Sequence, residues 1–129
     1  MTEPELIRCR LAACRDEGGR WSFHLINDSD FPLDEVVLYE VNYEWGDWGN
    51  SESTDVRITG LAPRCNARIW KDDGHGVELR MELCLRILHG GRSSRLKLEF
   101  PKLYRKRNLP MVQDLDWPGW EERGEARLS

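Results

Sequence analysis

The stretch VELRMELCLRILHGGRSSRLKLEF, residues 77–100, decides the fold because apolar and polar side chains alternate along most of its length. Alternate side chains of a strand point to opposite faces, whereas a helix would scatter the same apolar groups around its circumference. Gly90 and Gly91 interrupt the alternation and tolerate the positive backbone angles of a two-residue hairpin loop. That loop sets a register with three apolar pairs, namely Leu85 with Leu96, Leu83 with Leu98 and Met81 with Phe100.

The same alternation marks further runs upstream of this hairpin. The longest of them places five residues on one parity, which we expect to face the core: Val37, Tyr39, Val41, Tyr43 and Trp45. Turn-forming residues separate the runs, and no segment shows a convincing helical period. We therefore expect an all-β domain with seven or eight strands in two antiparallel sheets, an immunoglobulin-like β-sandwich. A small closed barrel is the alternative.

Length and composition restrict the classes of protein to which the chain can belong. With 129 residues, of which 40% are hydrophobic and 33% charged, it has room for one compact domain. We expect that domain to span residues 1–120, including a C-terminal segment packed on it, and residues 121–129 to form a polar, mobile tail. The net charge of -4 provides no global attraction for nucleic acid. No stretch is apolar enough to predict a membrane span.

The cysteines and the N-terminus favour a reducing compartment. Cys9, Cys14, Cys65 and Cys84 lack the spacing of zinc ribbons and thioredoxin-like redox sites. The N-terminus has no basic region leading into an apolar one, as a secretory leader would have. We therefore expect free thiols and a cytoplasmic protein.

The segment between Trp21 and Trp70 resembles the fibronectin type III family in the order of its features. An early strand tryptophan precedes YEVNY at residues 39–43, and ITGLAP at residues 58–63 is similar to the family's strand-to-turn segment. Ala67 stands where the family pattern has a tyrosine, and two further strands follow. The resemblance covers about 50 residues and implies the sandwich fold without implying an activity.

The segment WGDWGN, residues 45–50, is the candidate ligand-binding element. Tryptophan rings beside carboxylate and amide groups can stack on a sugar ring and hydrogen-bond its hydroxyl groups. The candidate small-ligand contacts are Trp45, Asp47, Trp48 and Asn50. The competing interpretation is that Trp45 is buried on the parity of Val41 and Tyr43, while Trp48 covers the end of the sandwich.

A second group of aromatic residues follows the last of the alternating runs. Residues 109–120 are more apolar than a linker needs to be. Either this segment folds back across a sheet edge of its own domain, or it supplies aromatic anchors to a partner. The candidate interface residues are Tyr104, Trp117 and Trp120.

The sequence contains no motif that indicates catalysis. His24, His75 and His89 lie in no recognisable catalytic pattern. The carboxylates of residues 28–35 lack the spacing of an EF-hand. Cys84 lies on an outward parity and would be reactive only if exposed. We therefore expect no enzymatic activity, no cofactor and no metal.

These observations favour a non-catalytic β-sandwich that acts as a protein-interaction or assembly module, with a protein partner or with a second copy of itself. The alternative is a small-ligand or carbohydrate-binding domain that uses residues 45–50. The basic residues of segment 102–107 are expected to form a solvated sheet edge rather than a nucleic-acid site.

Overall fold

The computed structural model describes residues 6–72, 78–103 and 108–128. Most of these residues lie in strands, and a short 3-10 helix spans Gln113–Leu115. The described part of the chain contains nine strands: β1 Leu6–Arg15, β2 Trp21–Asn27, β3 Leu33–Trp45, β4 Trp48–Leu61, β5 Asn66–Asp72, β6 Arg80–His89, β7 Arg92–Phe100, β8 Met111–Val112 and β9 Trp117–Arg127. None of the described residues belongs to a helix with the length and apolarity that a membrane span requires.

The strands form two antiparallel sheets, which confirms the predicted β-sandwich. The five-stranded sheet has the order β5-β2-β1-β9-β8, and the four-stranded sheet has the order β4-β3-β6-β7. Strands β1, β2 and β5 lie in one sheet and strands β3, β4, β6 and β7 in the other, so the chain crosses between the sheets after β2, after β4 and after β5. The count exceeds the expected seven or eight because the C-terminal segment adds β9 beside β1 and β8 beside β9.

Strands β6 and β7 form the hairpin that the sequence predicts. Gly90 and Gly91 have φ angles of 58° and 77°, in the left-handed region that favours glycine. Their loop fixes the expected register, and all six apolar partners are buried. The observed pairs are Leu85 with Leu96, Leu83 with Leu98 and Met81 with Phe100.

The first half of β3 differs from the prediction. A β-bulge just after Leu38 shifts the register of β3 against both of its neighbours. One extra residue reverses the alternation of side chains between the two faces. Val36 and Leu38 therefore belong to the core, and the predicted core residues Val37 and Tyr39 face outward. Beyond the bulge the predicted parity is correct, as the buried Val41 shows.

Residues 121–129 were expected to lie outside the domain, but residues 121–127 form most of β9. This strand pairs with β1 from Gly119 to Arg127, and Leu128 after it is buried. A Cβ added at Gly124 would lie 2.8 Å from side-chain atoms of Leu96 and of Leu98. Strand β9 therefore lies against β7 and closes one side of the sandwich. Its charged sequence conceals this role because sheet pairing uses the backbone.

The main core fills the space between the sheets, where the rings of Phe23 and Phe100 meet edge to face at 5.2 Å. A second, smaller apolar cluster lies on the outer face of the five-stranded sheet and consists of Ala12, Cys14, Ile26 and Val112, with Leu115 packed against it. Residues 111–115 thus cover this outer face. The described residues form no comparable apolar cover on the outer face of the four-stranded sheet.

Candidate functional site

The candidate ligand-binding segment forms the tip of the hairpin between β3 and β4. Gly46 and Asp47 make a two-residue turn, and the φ angle of Gly46 is 57°. Trp45 and Trp48 flank this turn and are directly opposite each other in the register. Directly paired residues place their side chains on the same face of a sheet. We call these two residues the tryptophan pair.

The tryptophan pair is exposed, although it lies on the core-facing parity of the sheet. Trp45 continues the face of the buried Val41 and the half-buried Tyr43. It is nevertheless 59% exposed, and Trp48 is 50% exposed. Residues 44–53 are all exposed, so the other sheet does not cover this end of the hairpin. The prediction of the parity was correct, and the interpretation that Trp45 is buried was wrong.

A lysine from the far end of the four-stranded sheet approaches the tryptophan pair. Lys102 follows β7, and its Nζ lies 5.5 Å from the centroid of the Trp45 ring. A cation over the face of an indole ring is attracted by the ring quadrupole. This contact restrains Trp45 from one side. No pattern in the sequence indicates this contact, because the two residues are far apart in the chain.

Polar groups surround Trp48. A shallow depression of about 470 Å³ at the hairpin tip is lined by Asn42, Tyr43, Glu44, Gly46, Asp47, Trp48, Gly49, Asn50 and Ser51. Three of the four candidate ligand contacts, Asp47, Trp48 and Asn50, therefore lie at one depression. Trp45, the fourth, does not line it.

The candidate interface residues lie away from the tryptophan pair, and they differ from one another in exposure. Trp117, at the start of β9, is 43% exposed, and its Nε1 donates a hydrogen bond of 2.9 Å to the carbonyl oxygen of Arg15. Trp120 is half-buried against the main core, and its Nε1 donates to Glu122 Oε1 at 2.9 Å. Tyr104 lies outside the described residues. Of the two tryptophans, only Trp117 presents much of its ring to solvent.

Trp117 forms one wall of a cavity of about 360 Å³ on the outer face of the five-stranded sheet, which Cys14 and His24 also line. Burial raises the pKa of Cys14 to about 11. Burial, followed by the charge of Arg68, lowers the pKa of His24. At neutral pH the thiol is therefore protonated and the imidazole is uncharged. A protonated thiol is a poor nucleophile, so this arrangement does not supply the activated cysteine of a covalent enzyme.

The remaining cysteines are also poor nucleophiles where they are buried. Cys84 is 1% exposed, and burial, followed by Glu82, raises its pKa to about 11. Burial raises the pKa of Cys9 to about 12. All four thiols are free, and Cys65 is the exposed one. The outward parity of Cys84 thus does not make it accessible, and the side chains of Asn42 and Glu82 contact its Sγ.

The carboxylates of residues 28–35 do not converge on one point. Asp28 pairs with Arg10, Asp34 Oδ2 accepts the backbone N–H of Gly90 at 2.8 Å, and Glu35 contacts Arg57 at 3.4 Å. Each of these three carboxylates thus has its own donor. Among the described residues, no group of three or more His, Cys, Asp or Glu side chains is arranged to hold a metal ion.

Arg10 joins the outer face of the five-stranded sheet to the C-terminal segment. Its guanidinium contacts Asp28 at 2.6 Å, Asp114 at 3.0 Å and Glu121 at 3.1 Å. The hydrogen bonds to Asp28 and to Asp114 raise the pKa of Arg10 above its ordinary value, and the hydrogen bond from Arg10 holds the pKa of Asp114 below its ordinary value. We call this group the Arg10 cluster. It fastens the 3-10 helix and β9 to β1.

Comparison with protein-family models, with characterised proteins and with solved structures found no match to the chain. The function is therefore inferred from the geometry alone.

Proposed function

We propose that this protein is a non-catalytic protein-interaction module whose contact element is the tryptophan pair at the tip of the β3–β4 hairpin. One observation carries the proposal: two directly opposed tryptophans on the core-facing parity of a sheet are left half exposed. Only four large apolar side chains of the described residues are exposed, and this pair contains two of them. Tryptophan is among the residues that contribute most to binding energy at interfaces.

The shape of the site favours a protein partner. Small-ligand sites are concave and enclose most of the ligand surface. The tip of a hairpin is convex, and the depression beside Trp48 is shallow. A convex aromatic pair fits an apolar groove of a partner, with the polar residues of segment 44–53 forming a rim. Strand β4 is also an edge of its sheet, so its free backbone groups can pair with a partner strand.

The proposal is tested by capture of partners from an extract of the source organism with wild-type protein and with the double variant Trp45→Ala and Trp48→Ala. We expect a partner that the double variant fails to retain, with an affinity lowered by at least about 30-fold once that partner is purified. Trp117→Ala is the matched control, because Trp117 is also an exposed tryptophan but lies on the other sheet.

The midpoints of thermal unfolding show whether the variants are folded. We expect these midpoints to stay near that of the wild type because both tryptophan rings are half exposed. Equal retention of every partner by the wild type and the double variant contradicts the proposal. Loss of the same partner in Trp117→Ala places the contact on the other sheet and contradicts it as well.

A second candidate function, binding of a small polar ligand such as a sugar, is favoured by one observation. Asp47, Trp48 and Asn50 line the same depression. A panel of sugars tested by tryptophan fluorescence distinguishes the two functions. A response that is lost in Trp48→Ala and retained in Trp45→Ala supports the sugar site, because only Trp48 lines the depression. Absence of any response across the panel removes it.

A further inference from the structure

Three arginines lie in one line across the outer face of the four-stranded sheet. Arg57 of β4 pairs with Val37 of β3, Val37 pairs with Arg86 of β6, and Arg86 pairs with Arg95 of β7. All four residues lie on the outward parity, opposite to the core-facing Val36, Leu85 and Leu96. We call them the arginine row. Its face is distinct from the one that carries the tryptophan pair, so the two sites are independent.

The charges of this row are not balanced. Arg57 donates to Asp55 Oδ1 at 2.9 Å and contacts Glu35 Oε1 at 3.4 Å. Within the described residues, no carboxylate forms an ion pair with Arg86 or Arg95. Like charges directly opposite each other on neighbouring strands destabilise a sheet. The sheet therefore carries two adjacent guanidinium groups that repel each other and have hydrogen-bond donors to spare.

The row also borders a concave surface with an apolar floor. A depression of about 270 Å³ is lined by Val37, Tyr39, Asp55, Arg57, Arg86 and Arg95. Val37 is only 6% exposed despite facing outward, because the surrounding long side chains cover it. The guanidinium carbon of Arg95 lies 5.7 Å from the centroid of the Tyr39 ring. This contact restrains both side chains at the border of the depression.

We propose that the arginine row binds a phosphate monoester, with Arg86 and Arg95 holding the phosphate group. A phosphate monoester carries a charge close to -2 at neutral pH, which matches two guanidinium groups that have no ion-paired carboxylate within the described part of the chain. The planar fork of arginine donates two parallel hydrogen bonds to phosphate oxygens, which a point charge cannot do. The volume suits a phosphate with a small organic group, and Val37 and Tyr39 supply the apolar contact for that group.

The experiment measures binding of phenyl phosphate to the full chain by NMR, following the Nε–Hε signals of the arginines. Inorganic phosphate, benzoate and sodium chloride at matched ionic strength serve as comparison probes. We expect saturable shifts with phenyl phosphate and with phosphate. We expect apparent affinities at least about tenfold lower in Arg86→Gln and in Arg95→Gln, because each removes hydrogen bonds to a charged group.

Two control variants define the specificity of that result. Arg127→Gln changes an exposed arginine of β9 and should leave the affinity unchanged. Arg57→Gln should have a smaller effect than Arg86→Gln, because Arg57 already pairs with two carboxylates. Equal shifts with chloride, unaltered binding in both Arg86→Gln and Arg95→Gln, or equal affinity for benzoate would each overturn the proposal, the last by showing a site for carboxylates in general.

A stability measurement separates a binding role from a merely structural one. In buffer without phosphate, Arg86→Gln should be at least as stable as the wild type, because it relieves the repulsion from Arg95. With phenyl phosphate present, the wild type should gain thermal stability and the variant should not. If the arginines serve only to cover Val37, the variant loses stability equally in both buffers, and the proposal fails.

Discussion

The outer faces of the two sheets both carry arginines, but the two faces differ in how many carboxylates pair with those arginines. On the five-stranded sheet, Arg10 lies opposite Arg123 of β9 in the register, but its guanidinium contacts three carboxylates, and residues 111–115 cover the strands beside it. On the four-stranded sheet, Arg86 and Arg95 face each other without an ion-paired carboxylate among the described residues. An arginine paired with carboxylates from several elements holds those elements together. Two facing arginines without ion-paired carboxylates repel each other and lower the stability of the sheet.

The largest expected effect on stability comes from breaking the Arg10 cluster. Arg10→Gln leaves Asp28, Asp114 and Glu121 close together without their cation. We expect the free energy of unfolding to fall by about 2–3 kcal/mol, since hydrogen bonds to charged groups are lost and like charges are left facing each other. Urea unfolding measures this as a lower midpoint with an unchanged slope.

Arg8→Gln is the matched control for that prediction. Arg8 lies on the same strand and the same face as Arg10, but its contact with Glu125 is 3.5 Å long, and both side chains are about 60% exposed. An exposed pair of this kind contributes little, so the loss should stay below about 0.5 kcal/mol. Equal losses in Arg8→Gln and Arg10→Gln would show that the Arg10 cluster does not fasten the C-terminal segment.

A smaller effect is expected from the acid dependence of the Arg10 cluster. The hydrogen bond from Arg10 holds the pKa of Asp114 below its ordinary value. A lowered pKa in the folded state means that the stabilisation is complete above the unfolded pKa of about 4 and is lost as the pH falls through the folded pKa. Asp114→Asn should therefore destabilise the protein at pH 7, by up to about 1 kcal/mol.

The same substitution should have progressively less effect as the pH falls below about 4, because the wild-type carboxyl group is then protonated too. Urea unfolding of both proteins at pH 7 and at pH 3 measures the difference. A difference that stays constant between the two pH values would show that the Asp114 carboxylate acts through something other than its charge.

The smallest expected effect on stability comes from adding a carboxylate to the arginine row. Arg86→Glu places a negative charge opposite Arg95. We expect the free energy of unfolding, measured by thermal unfolding, to rise by a few tenths of a kcal/mol up to about 1 kcal/mol. Arg86→Gln, which removes the repulsion without adding an attraction, should gain less. If Arg86→Glu is less stable than Arg86→Gln, repulsion between the arginines of the row does not lower the stability of the wild type.

The sequence predicts local pairing well and the bulge poorly. The register of β6 and β7 follows from the length of the Gly90–Gly91 loop and from the apolar alternation, which are both local properties. The bulge after Leu38 has no glycine or proline to mark it, so counting by two assigns Val37 and Tyr39 to the wrong face. A one-residue shift is enough to reverse the assignment.

The candidate sites show the same division. The tryptophan pair can be found from the sequence because its two residues flank one short turn. The arginine row cannot, since Arg57, Arg86 and Arg95 come from three strands whose alignment depends on the bulged β3. The approach of Lys102 to Trp45 likewise depends on how the ends of β3 and β7 meet in space.

The sequence by itself determined the fold class, the β6–β7 register and the parity of Trp45, because alternation and turn chemistry act between residues close in the chain. Only the tertiary structure decided that Trp45 is exposed, that residues 121–127 form a strand beside β1, and that Arg86 and Arg95 lack ion-paired carboxylates among the described residues. Exposure and charge balance depend on which distant segments cover a given face. The alternation of one strand carries no information about the length of the sheet packed against it.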